Sequence, residues 1–403
     1  MKIGLYIEHG VGNGVGGAEL MIAYLASVWS RNHDVDFVHH RPPLTHERIA
    51  MFSSDNLDRV NFRYVPREDE QEGSANPFGR YRAARDWHKS LSAGYDLFVN
   101  CTHWLPSFCH ARTGALLVLF PFYVRPPDMP EMARLPAWKR ARHRLYYDFE
   151  WRRRIATYRH VFAISEFARQ WTERRWGVDS RVIYPPVDVD FVSGPKENLI
   201  LSVGRFSTAA HTKKQLEMMR AFRELEHTAR GWTYACVGGL NERDQNRAYF
   251  ERVRELAGHG SAHVRANLER SELRSLLSRA RIFWHATGLD DDTDSHPELA
   301  EHFGIATVEA MAAGAVPVVI NKGAQPEIVQ HGVNGFVWNT LDELKNYTQQ
   351  LAGDPALRSR MSAAARVRAQ DFSRERFVDC MSAACGVASR RGPIAGEPAI
   401  VNG

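Results

Sequence analysis

Short runs of β-branched and aromatic residues alternate with longer amphipathic stretches along the whole chain, and this alternation limits the possible folds most strongly. A strand followed by a helix and another strand predicts a βαβ unit, and successive units build a parallel sheet covered by helices. The strand series begins at Lys2–Ile7 and stops at 184–188, where Pro185 and Pro186 exclude both a helix and a central strand. It restarts at Leu199–Val203, which predicts two α/β domains.

The composition agrees with a folded chain of this size. The 403 residues are enough for two or three domains, and 44% of them are hydrophobic, which excludes intrinsic disorder and a single short binding peptide. The 52 Lys and Arg exceed the 47 Asp and Glu by five, a weak excess that favours an anionic ligand or surface. Residues 390–403 lack any periodicity, and we expect them to form a disordered tail.

Cysteine usage and hydropathy indicate a cytoplasmic protein. The five cysteines are scattered without any C-x-x-C pair, so neither a disulfide framework nor a zinc site is predicted. The first residues lack the pattern of a signal peptide, and the longest apolar run, 115–124, has about half of the length that spans a bilayer. We therefore expect a cytoplasmic chain that touches at most a membrane surface.

A glycine-rich loop between the first strand and the first helix indicates an anionic ligand. Gly12, Gly14 and Gly17 satisfy the G-x-G-x-x-G pattern, in which glycines allow backbone N–H groups to approach a phosphate at a helix N-terminus. A dinucleotide also needs an acidic residue near the end of the second strand, but the sequence at 38–41 is Val-His-His-Arg. Three alternatives stay open: another phosphate-bearing ligand, which we favour, a structural glycine turn, and NAD(P).

Two glutamates separated by seven residues, Glu301 and Glu309, make the most informative motif of the second half. If a helix begins near Gly304, Glu301 precedes it and Glu309 lies on its second turn, so that both carboxylates can face one cleft. The backbone N–H groups at 304–306 would then be available to a diphosphate. A solvated helix would carry such a pair equally well. The residues around the pair must therefore distinguish a ligand site from a solvent-exposed helix.

Four further segments surround this pair. They are Val-Gly-Arg-Phe at 203–206, His-Thr-Lys-Lys-Gln at 211–215, Ala-Gly-Ala-Val-Pro-Val-Val at 313–319 and Gly-Ala-Gln-Pro-Glu-Ile-Val at 323–329. Together with Gly-Gly-Ala-Glu at 16–19 and the two glutamates, they resemble the family 4 retaining glycosyltransferases, whose two Rossmann-like α/β domains form the GT-B fold with a ligand cleft between them. The resemblance covers almost the whole chain, and several motifs in the same order are far more specific than one.

The resemblance implies a division of the chain. Residues 1–190 would form an N-terminal, acceptor-binding Rossmann-like domain, and residues 191–372 a C-terminal Rossmann-like domain that binds the nucleotide sugar. A helix over 373–389 would cross back onto the first domain. Closure of the two domains about Pro185 and Pro186 would exclude water from the cleft.

The resemblance assigns catalytic roles to three charged residues. In the family, the arginine of the Gly-Arg element and the lysine that follows it neutralise the donor diphosphate, which selects Arg205 and Lys213, with Lys214 as the alternative. The first glutamate of the pair, Glu301, would contact hydroxyls of the donor sugar. A departing nucleoside diphosphate gathers negative charge, which fixed cations and helix-terminal amides stabilise. We therefore expect neither a metal nor another cofactor.

The remaining donor contacts follow from the same motifs. The resemblance places the first glycine loop against the diphosphate or the sugar, and it places the second glutamate of the pair on the ribose. The donor-binding residues expected on this basis are Gly16, Gly17, Lys214, Phe303, Gly304, Ile305 and Glu309.

The chain departs from the family pattern at two positions. Many relatives carry a histidine near the sugar in a Val-His-Phe-Pro-like stretch, where this chain has Leu119. His103 can face the cleft instead, on the acceptor or sugar side, although a single histidine after a strand is more often structural. The second departure, Ala324 after Gly323 where relatives carry Gly-Gly, is tolerable.

Acidic residues before Glu301 resemble a calcium loop. Asp290, Asp292, Asp294 and Glu301 occupy positions 1, 3, 5 and 12 of such a loop, and the aspartates also resemble the D-x-D metal motif of the other glycosyltransferase fold. Position 6, which requires glycine for a sharp turn, is Ser295, and the segment follows a predicted strand instead of a helix. We therefore interpret the segment as a solvated loop beside the donor site.

A basic and aromatic segment occupies 131–160. It holds nine Arg or Lys against three acidic residues, interleaved with tryptophan, tyrosine and phenylalanine. This pattern suits peripheral contact with an anionic membrane face or a lipid-diphosphate acceptor, and it equally suits a solvated helix whose aromatic residues pack inward. Nearby, 126–130 and 184–188 resemble the lipid-linked-oligosaccharide mannosyltransferases within the family. RNA would require a more basic balance, so no nucleic-acid partner is expected.

The sequence therefore predicts a retaining, metal-independent hexosyltransferase. We expect it to move a hexose from a nucleoside-diphosphate sugar to a hydroxyl of a glycan, glycolipid or lipid-linked acceptor, with mannose from GDP-mannose favoured over a UDP-sugar. An NAD(P)-dependent Rossmann enzyme is an alternative from another class, supported only by the first glycine loop. A catalytically silent sugar-nucleotide-binding protein is the other alternative, supported by Leu119.

Overall fold

The computed structural model describes residues 1–7, 17–40, 49, 55–67, 77–122, 134–192, 194–208, 212–241 and 243–388. Several sequence predictions concern residues outside this set and are not addressed by the structure. They are the glycine loop up to Gly16, His211, the proline segment 126–130, the start of the basic segment at 131–133, and the tail at 390–403.

Seven parallel strands form the first sheet, in the order β3-β2-β1-β4-β5-β6-β7. Their bounds are β1 (Lys2–Ile7), β2 (Asp34–His39), β3 (Val60–Tyr64), β4 (Leu97–Thr102), β5 (Thr113–Val118), β6 (His160–Ala163) and β7 (Arg181–Val182). The helices described in this half are α1 (Gly17–Trp29), α2 (Pro77–Ser92), α3 (Ala137–Ile155) and α4 (Glu166–Trp176). A parallel pair needs a crossover between its strands, which these helices and the connecting segments supply.

Six parallel strands form the second sheet, in the order β10-β9-β8-β11-β12-β13. Their bounds are β8 (Leu199–Val203), β9 (Thr233–Gly238), β10 (Ala262–Ala266), β11 (Ile282–His285), β12 (Val316–Ile320) and β13 (Phe336–Trp338). The strand order reverses at β1 in the first sheet and at β8 in the second. In such sheets, ligands bind outside the carboxyl ends of the strands at the reversal. The predicted fold of two parallel-sheet α/β domains is confirmed.

Helices α5 to α11 cover the second sheet, and α8 is the helix predicted to begin near Gly304 with Glu309 on its second turn. The bounds are α5 (Gln215–Leu225), α6 (Asp244–Ala257), α7 (Arg270–Arg279), α8 (Ile305–Ala313), α9 (Gln325–Ile328), α10 (Leu341–Gly353) and α11 (Pro355–Ala369). Gly304 precedes α8 with φ 124° and Gly314 follows it with φ 88°, conformations that favour glycine. Two glycines thus set both ends of this helix.

The last helix, α12 (Arg374–Cys385), packs on α1 of the first domain. The Trp29 indole nitrogen donates to Ser382 Oγ at 2.9 Å, and the Arg374 guanidinium lies 3.9 Å from the centroid of the Tyr24 ring. Arg374 also pairs with Asp55 at 2.6 Å. The chain passes from the first sheet to the second between β7 and β8, and it returns to the first domain at its end.

One apolar cluster contains side chains from both domains. It joins Leu25 and Phe120 of the first domain to Phe303, Val308 and Met311 of the second. The domains therefore share buried surface behind the cleft. Within the described part of the chain, no helix is long and apolar enough to cross a membrane.

Candidate functional site

The first turns of α1 and α8 meet at the carboxyl ends of the two sheets. Gly17 begins α1 directly after the first glycine loop, and Ile305 begins α8. A Cβ atom on Gly17 would lie 3.2 Å from Cδ1 of Ile305, so the helix starts of the two domains approach each other closely. The structure thus brings these two predicted donor-binding residues together.

The start of α8 is held by a buried side chain from α9. Gln325 accepts from Thr307 Oγ1 at 2.8 Å and donates to the Phe303 carbonyl at 2.9 Å. A Cβ atom on Gly304 would lie 2.2 Å from the Gln325 Nε2, so glycine is required here by space as well as by its φ. No described residue accepts from the backbone N–H groups of Ile305 and Ala306. The helix therefore presents open donors at the cleft.

Glu301, just before α8, is held by two donors. Lys213 Nζ lies 2.5 Å and His285 Nε2 lies 2.9 Å from the same oxygen, Oε2. Burial alone would raise the pKa of the Glu301 carboxyl, but the Lys213 charge and the His285 hydrogen bond hold this pKa well below its usual range. Glu301 is thus an ionised carboxylate inside the cleft, next to a cation.

Gly204 allows Lys213 to reach Glu301. A Cβ atom on Gly204 would lie 2.5 Å from the Lys213 Cγ, so the aliphatic part of the lysine lies directly on the glycine backbone. The neighbouring Arg205 is exposed, and among the described residues no side chain pairs with its guanidinium. The predicted Lys213 therefore lies at Glu301, whereas Arg205 extends into solvent at the edge of the same loop.

Lys214 points away from Glu301. It precedes α5 in a left-handed conformation (φ 54°), and its Nζ pairs with Asp291 Oδ1 at 2.8 Å. Lys322 Nζ donates to the Asp291 carbonyl at 2.7 Å. The two lysines that the sequence could not separate therefore have different partners, and which of them meets a diphosphate stays a prediction.

The acidic loop before Glu301 is organised by hydrogen bonds of its own. Asp292 Oδ1 accepts from the Ser295 backbone N–H at 3.1 Å. Throughout the described ranges, no group of three or more histidine, cysteine, aspartate or glutamate side chains could hold a metal ion. Glu301, the twelfth position of the calcium pattern, is directed to Lys213 and His285 instead.

Glu309, on the second turn of α8, has a different environment from Glu301. Burial raises the pKa of its carboxyl to about 7. The charge of Asp188 also raises this pKa, whereas the charges of Arg270 and Arg274 lower it. Both arginines are engaged with Asp188, Arg274 at 2.5 Å and Arg270 at 3.2 Å. The pKa values of the two glutamates are therefore shifted in opposite directions, and within the described residues no side chain contacts both carboxyl groups.

An aromatic contact joins the domains where many relatives carry a histidine. Leu119 is buried in the shared apolar cluster, and the next residue, Phe120, stacks on the imidazole of His302 from the second domain. The ring centroids are 3.8 Å apart and the planes differ by 2°. His103 lies against the Phe122 ring at 4.8 Å. Phe122 also meets His302 edge-on at 5.8 Å, so these side chains form one aromatic group.

Glu327 connects the second domain to a helix start in the first. Its carboxylate accepts from the backbone N–H groups of Glu166 at 2.7 Å and Phe167 at 2.6 Å, at the N-terminus of α4. The position suits an anion because the helix dipole and unpaired N–H groups both favour negative charge there. Residues 323–329 therefore also hold the two domains together.

Sequence reasoning missed His285 and His302 as site residues. His302 directly follows Glu301, so the sequence places it next to the site. The sequence does not predict its contact with Phe120 of the first domain. His285 ends β11, sixteen residues before Glu301, and a polar residue at the carboxyl end of a buried strand is the signal that could have found it.

Two family models match the chain, one on each domain. The model of Glycosyltransferase Family 4 matches residues 15–191, and the model of Glycosyl transferases group 1 matches residues 188–368. Both halves thus match glycosyltransferase families, and the NAD(P)-dependent alternative drawn from the first glycine loop has no support from these matches.

Curated relatives match about half of the chain. A GDP-Man:Man(3)GlcNAc(2)-PP-Dol alpha-1,2-mannosyltransferase of Dictyostelium discoideum is 28% identical over 221 residues, 51% of this chain and 42% of the relative. The alpha-1,3/1,6-mannosyltransferase ALG2 of Homo sapiens is 24% identical over 221 residues, 50% of this chain and 51% of the relative. The matched region therefore spans about half or less of these proteins.

Solved structures share the fold over nearly the whole chain. A glycosyltransferase from Rickettsia africae has a TM-score of 0.65 and 15% identity, with 97% of this chain and 99% of that chain covered. Anabaena HepE in complex with UDP and glucose has a TM-score of 0.65 and 15% identity, with coverage of 96% and 100%. With a family 4 domain followed by a group 1 domain, the chain belongs to the glycosyltransferases of the GT-B fold and resembles the lipid-linked-oligosaccharide mannosyltransferases.

Proposed function

We propose that this chain transfers a hexose from a nucleoside-diphosphate sugar to an acceptor hydroxyl, with retention at the anomeric carbon. One observation carries the proposal: the Glu301 carboxylate, the Lys213 ammonium and the open first turn of α8 lie together at the interdomain cleft. A carboxylate suits the hydroxyls of a sugar, and a cation beside helix-terminal N–H groups suits a diphosphate.

The reaction needs a place for the charge of the leaving group. The bond between the sugar and the diphosphate breaks while the acceptor oxygen bonds to the anomeric carbon, and the hydroxyl proton passes to an oxygen of the departing diphosphate. Negative charge therefore grows on this diphosphate as it leaves. Lys213, Arg205 and the amides of 304–306 would stabilise that charge. In this proposal Glu309 holds the ribose, and neither a metal ion nor another cofactor is required.

The favoured donor is GDP-mannose. The names of the curated relatives support it, since both are mannosyltransferases and one is described with a GDP-mannose donor. A UDP-sugar is the second choice, because the structural neighbour from Anabaena was solved with UDP and glucose. The acceptor in this proposal is a glycan, a glycolipid or a lipid-linked glycan bound by the first domain.

We propose that the enzyme is cytoplasmic and makes peripheral contact with an anionic membrane, and the surface of α3 supports the membrane contact. Trp138, Leu145 and Phe149 are 62%, 72% and 56% exposed, and their spacing of seven and four residues places them on one face of the helix. Arg142 lies 5.7 Å from the Trp138 ring and Arg153 lies 5.0 Å from the Phe149 ring. An apolar stripe flanked by arginines fits the headgroup region of anionic lipids.

Ligand-dependent stabilisation tests the donor. A thermal-shift panel of GDP-mannose, UDP-glucose, UDP-N-acetylglucosamine, GDP, UDP, NAD and NADP, with and without EDTA, should show a rise with one nucleoside-diphosphate sugar that survives EDTA. A rise with NAD or NADP alone would refute the proposal. Proton NMR of the product then reports the anomeric configuration.

A catalytically silent sugar-nucleotide-binding protein is the second candidate. Leu119 favours it, because this position holds an apolar side chain turned into the core where many relatives carry a histidine. Such a protein would give the same thermal shift without turnover. Release of the nucleoside diphosphate in the presence of a lipid-linked acceptor separates the two functions.

A further inference from the structure

We infer that His285 is a positioning residue for Glu301. When the donor binds, the Lys213 ammonium turns from Glu301 to the donor diphosphate, and His285 then keeps the Glu301 carboxylate oriented toward the donor sugar. The inference rests on the proposed function, since it concerns the same donor site. It adds His285, a residue outside the motifs that identified the site. It also gives Lys213 two anionic partners in turn, first the Glu301 carboxylate and then the donor diphosphate.

The geometry assigns His285 the role of hydrogen-bond donor. An ionised carboxylate only accepts hydrogen bonds, so the 2.9 Å contact with Glu301 Oε2 requires a proton on His285 Nε2. His285 is buried at the end of β11, and burial lowers its pKa, which favours the neutral ring. A neutral imidazole with its proton on Nε2 can hold the carboxylate without competing for the charge of Lys213.

Both donors to Glu301 use one oxygen. Lys213 Nζ and His285 Nε2 contact Oε2, and within the described ranges no side chain donates to Oε1. Oε1 is thus available for a sugar hydroxyl. The two donors restrain the position of Oε2 before a ligand arrives.

The two donors differ in how freely they can move. Lys213 carries its ammonium on a flexible four-carbon stem, whereas His285 belongs to a central strand paired on both sides with β8 and β12. A diphosphate between Arg205 and α8 would compete with Glu301 for the lysine. His285 would then be the remaining donor that keeps the carboxylate in place.

Two substitutions of His285 separate this role from simple packing. His285→Leu keeps the approximate volume and removes the donor, whereas His285→Gln keeps an N–H near the Nε2 position. Isothermal titration with GDP and with GDP-mannose measures the sugar contribution to binding. We expect His285→Leu to weaken GDP-mannose about 10- to 100-fold, the range for a lost hydrogen bond to a charged group, and to change GDP by less than about twofold. His285→Gln should recover most of the loss.

A double variant tests whether His285 acts through Glu301. If it does, His285→Leu combined with Glu301→Gln should bind GDP-mannose no more weakly than Glu301→Gln alone. Additive losses, equal losses for GDP and GDP-mannose, or no recovery in His285→Gln would each overturn the inference. The same design applies to UDP and UDP-glucose if the wild-type protein prefers uridine. If the wild-type protein binds neither pair, the proposed function fails and the inference fails with it, a result distinct from selective loss in the variants.

Discussion

The two domains contribute opposite kinds of surface to the cleft. The second domain supplies charges fixed by one another, as Glu301 is held at 2.5 Å by Lys213 and at 2.9 Å by His285. The first domain supplies aromatic and apolar side chains, with Phe120 stacked on His302. Charged side chains held by hydrogen bonds of their own therefore line one side of the cleft, and aromatic side chains line the other.

Removing the central cation of the second domain should have the largest effect. Lys213→Ala should lower kcat about 100- to 1,000-fold, because the ammonium stabilises charge that grows on the leaving diphosphate. Lys214→Ala should cost much less, since Lys214 is engaged with Asp291. Initial rates with saturating GDP-mannose measure both effects.

A distant lysine provides the control for this pair. Lys345 on α10 forms ion pairs with Glu224 and Asp342 away from the cleft, so Lys345→Ala should retain the wild-type rate. A large loss in Lys214→Ala with a nearly normal Lys213→Ala would reverse the assignment of the two lysines. Such a result would place the cation that contacts the diphosphate at Lys214, next to the acidic loop.

Removing the apolar stripe of α3 tests the first domain. The triple variant Trp138→Ser, Leu145→Ser and Phe149→Ser should reduce binding to vesicles of phosphatidylcholine and phosphatidylglycerol at least about tenfold, because each side chain contributes apolar burial. Sedimentation of the vesicles measures the bound fraction.

Exposed valines of the second domain provide the matched control for the stripe. Val333→Ser with Val367→Ser also removes exposed apolar side chains, and it should leave vesicle binding unchanged. The triple variant should keep the wild-type affinity for GDP-mannose, because the stripe lies outside the donor site. Equal loss of vesicle binding in both sets of variants would contradict a specific membrane face.

The smallest effect concerns the pH dependence of stability. Folding raises the pKa of Glu309 to about 7, so the folded state holds this proton more tightly than the unfolded chain. The carboxyl therefore costs nothing below its unfolded pKa, and its destabilising effect grows as the pH rises from that value through about 7. Glu309→Gln should increase the free energy of unfolding near pH 8 by part of the roughly 3 kcal/mol that the full pKa shift represents, and leave it unchanged near pH 4.

Urea unfolding at the two pH values measures this difference. Glu255→Gln, at an exposed position on α6, is the matched control and should change neither value. A gain from Glu309→Gln that is equal at both pH values would show that the carboxyl keeps its ordinary pKa in the folded protein.

The sequence predicted the framework of the fold because its signals are local. The alternation of strands and helices predicted the two sheets, and the helix expected to begin near Gly304 is α8, which begins at Ile305. The sequence did not predict β13 (Phe336–Trp338), because three residues are too few to show a periodic pattern. Nor did it predict the four-residue helix α9, whose Gln325 holds the start of α8.

The candidate site was predictable only where its residues share a motif. Glu301, Gly304 and Ile305 are neighbours in sequence, so one pattern named them together. His285 meets Glu301 only because β11 pairs between β8 and β12, an arrangement that no spacing encodes. The raised pKa of Glu309 likewise depends on burial and on side chains from other elements, which become visible only in three dimensions.

The contact of Glu327 with α4 places unequal demands on the two halves of the chain. Its partners are the backbone N–H groups of Glu166 and Phe167, which almost any sequence supplies at the start of a helix. For this contact, the second domain must therefore keep an acidic side chain, whereas the first domain needs only a helix that begins there. Substitutions of the side chains at 166 and 167 could thus accumulate in the first domain without removing the two hydrogen bonds that Glu327 accepts.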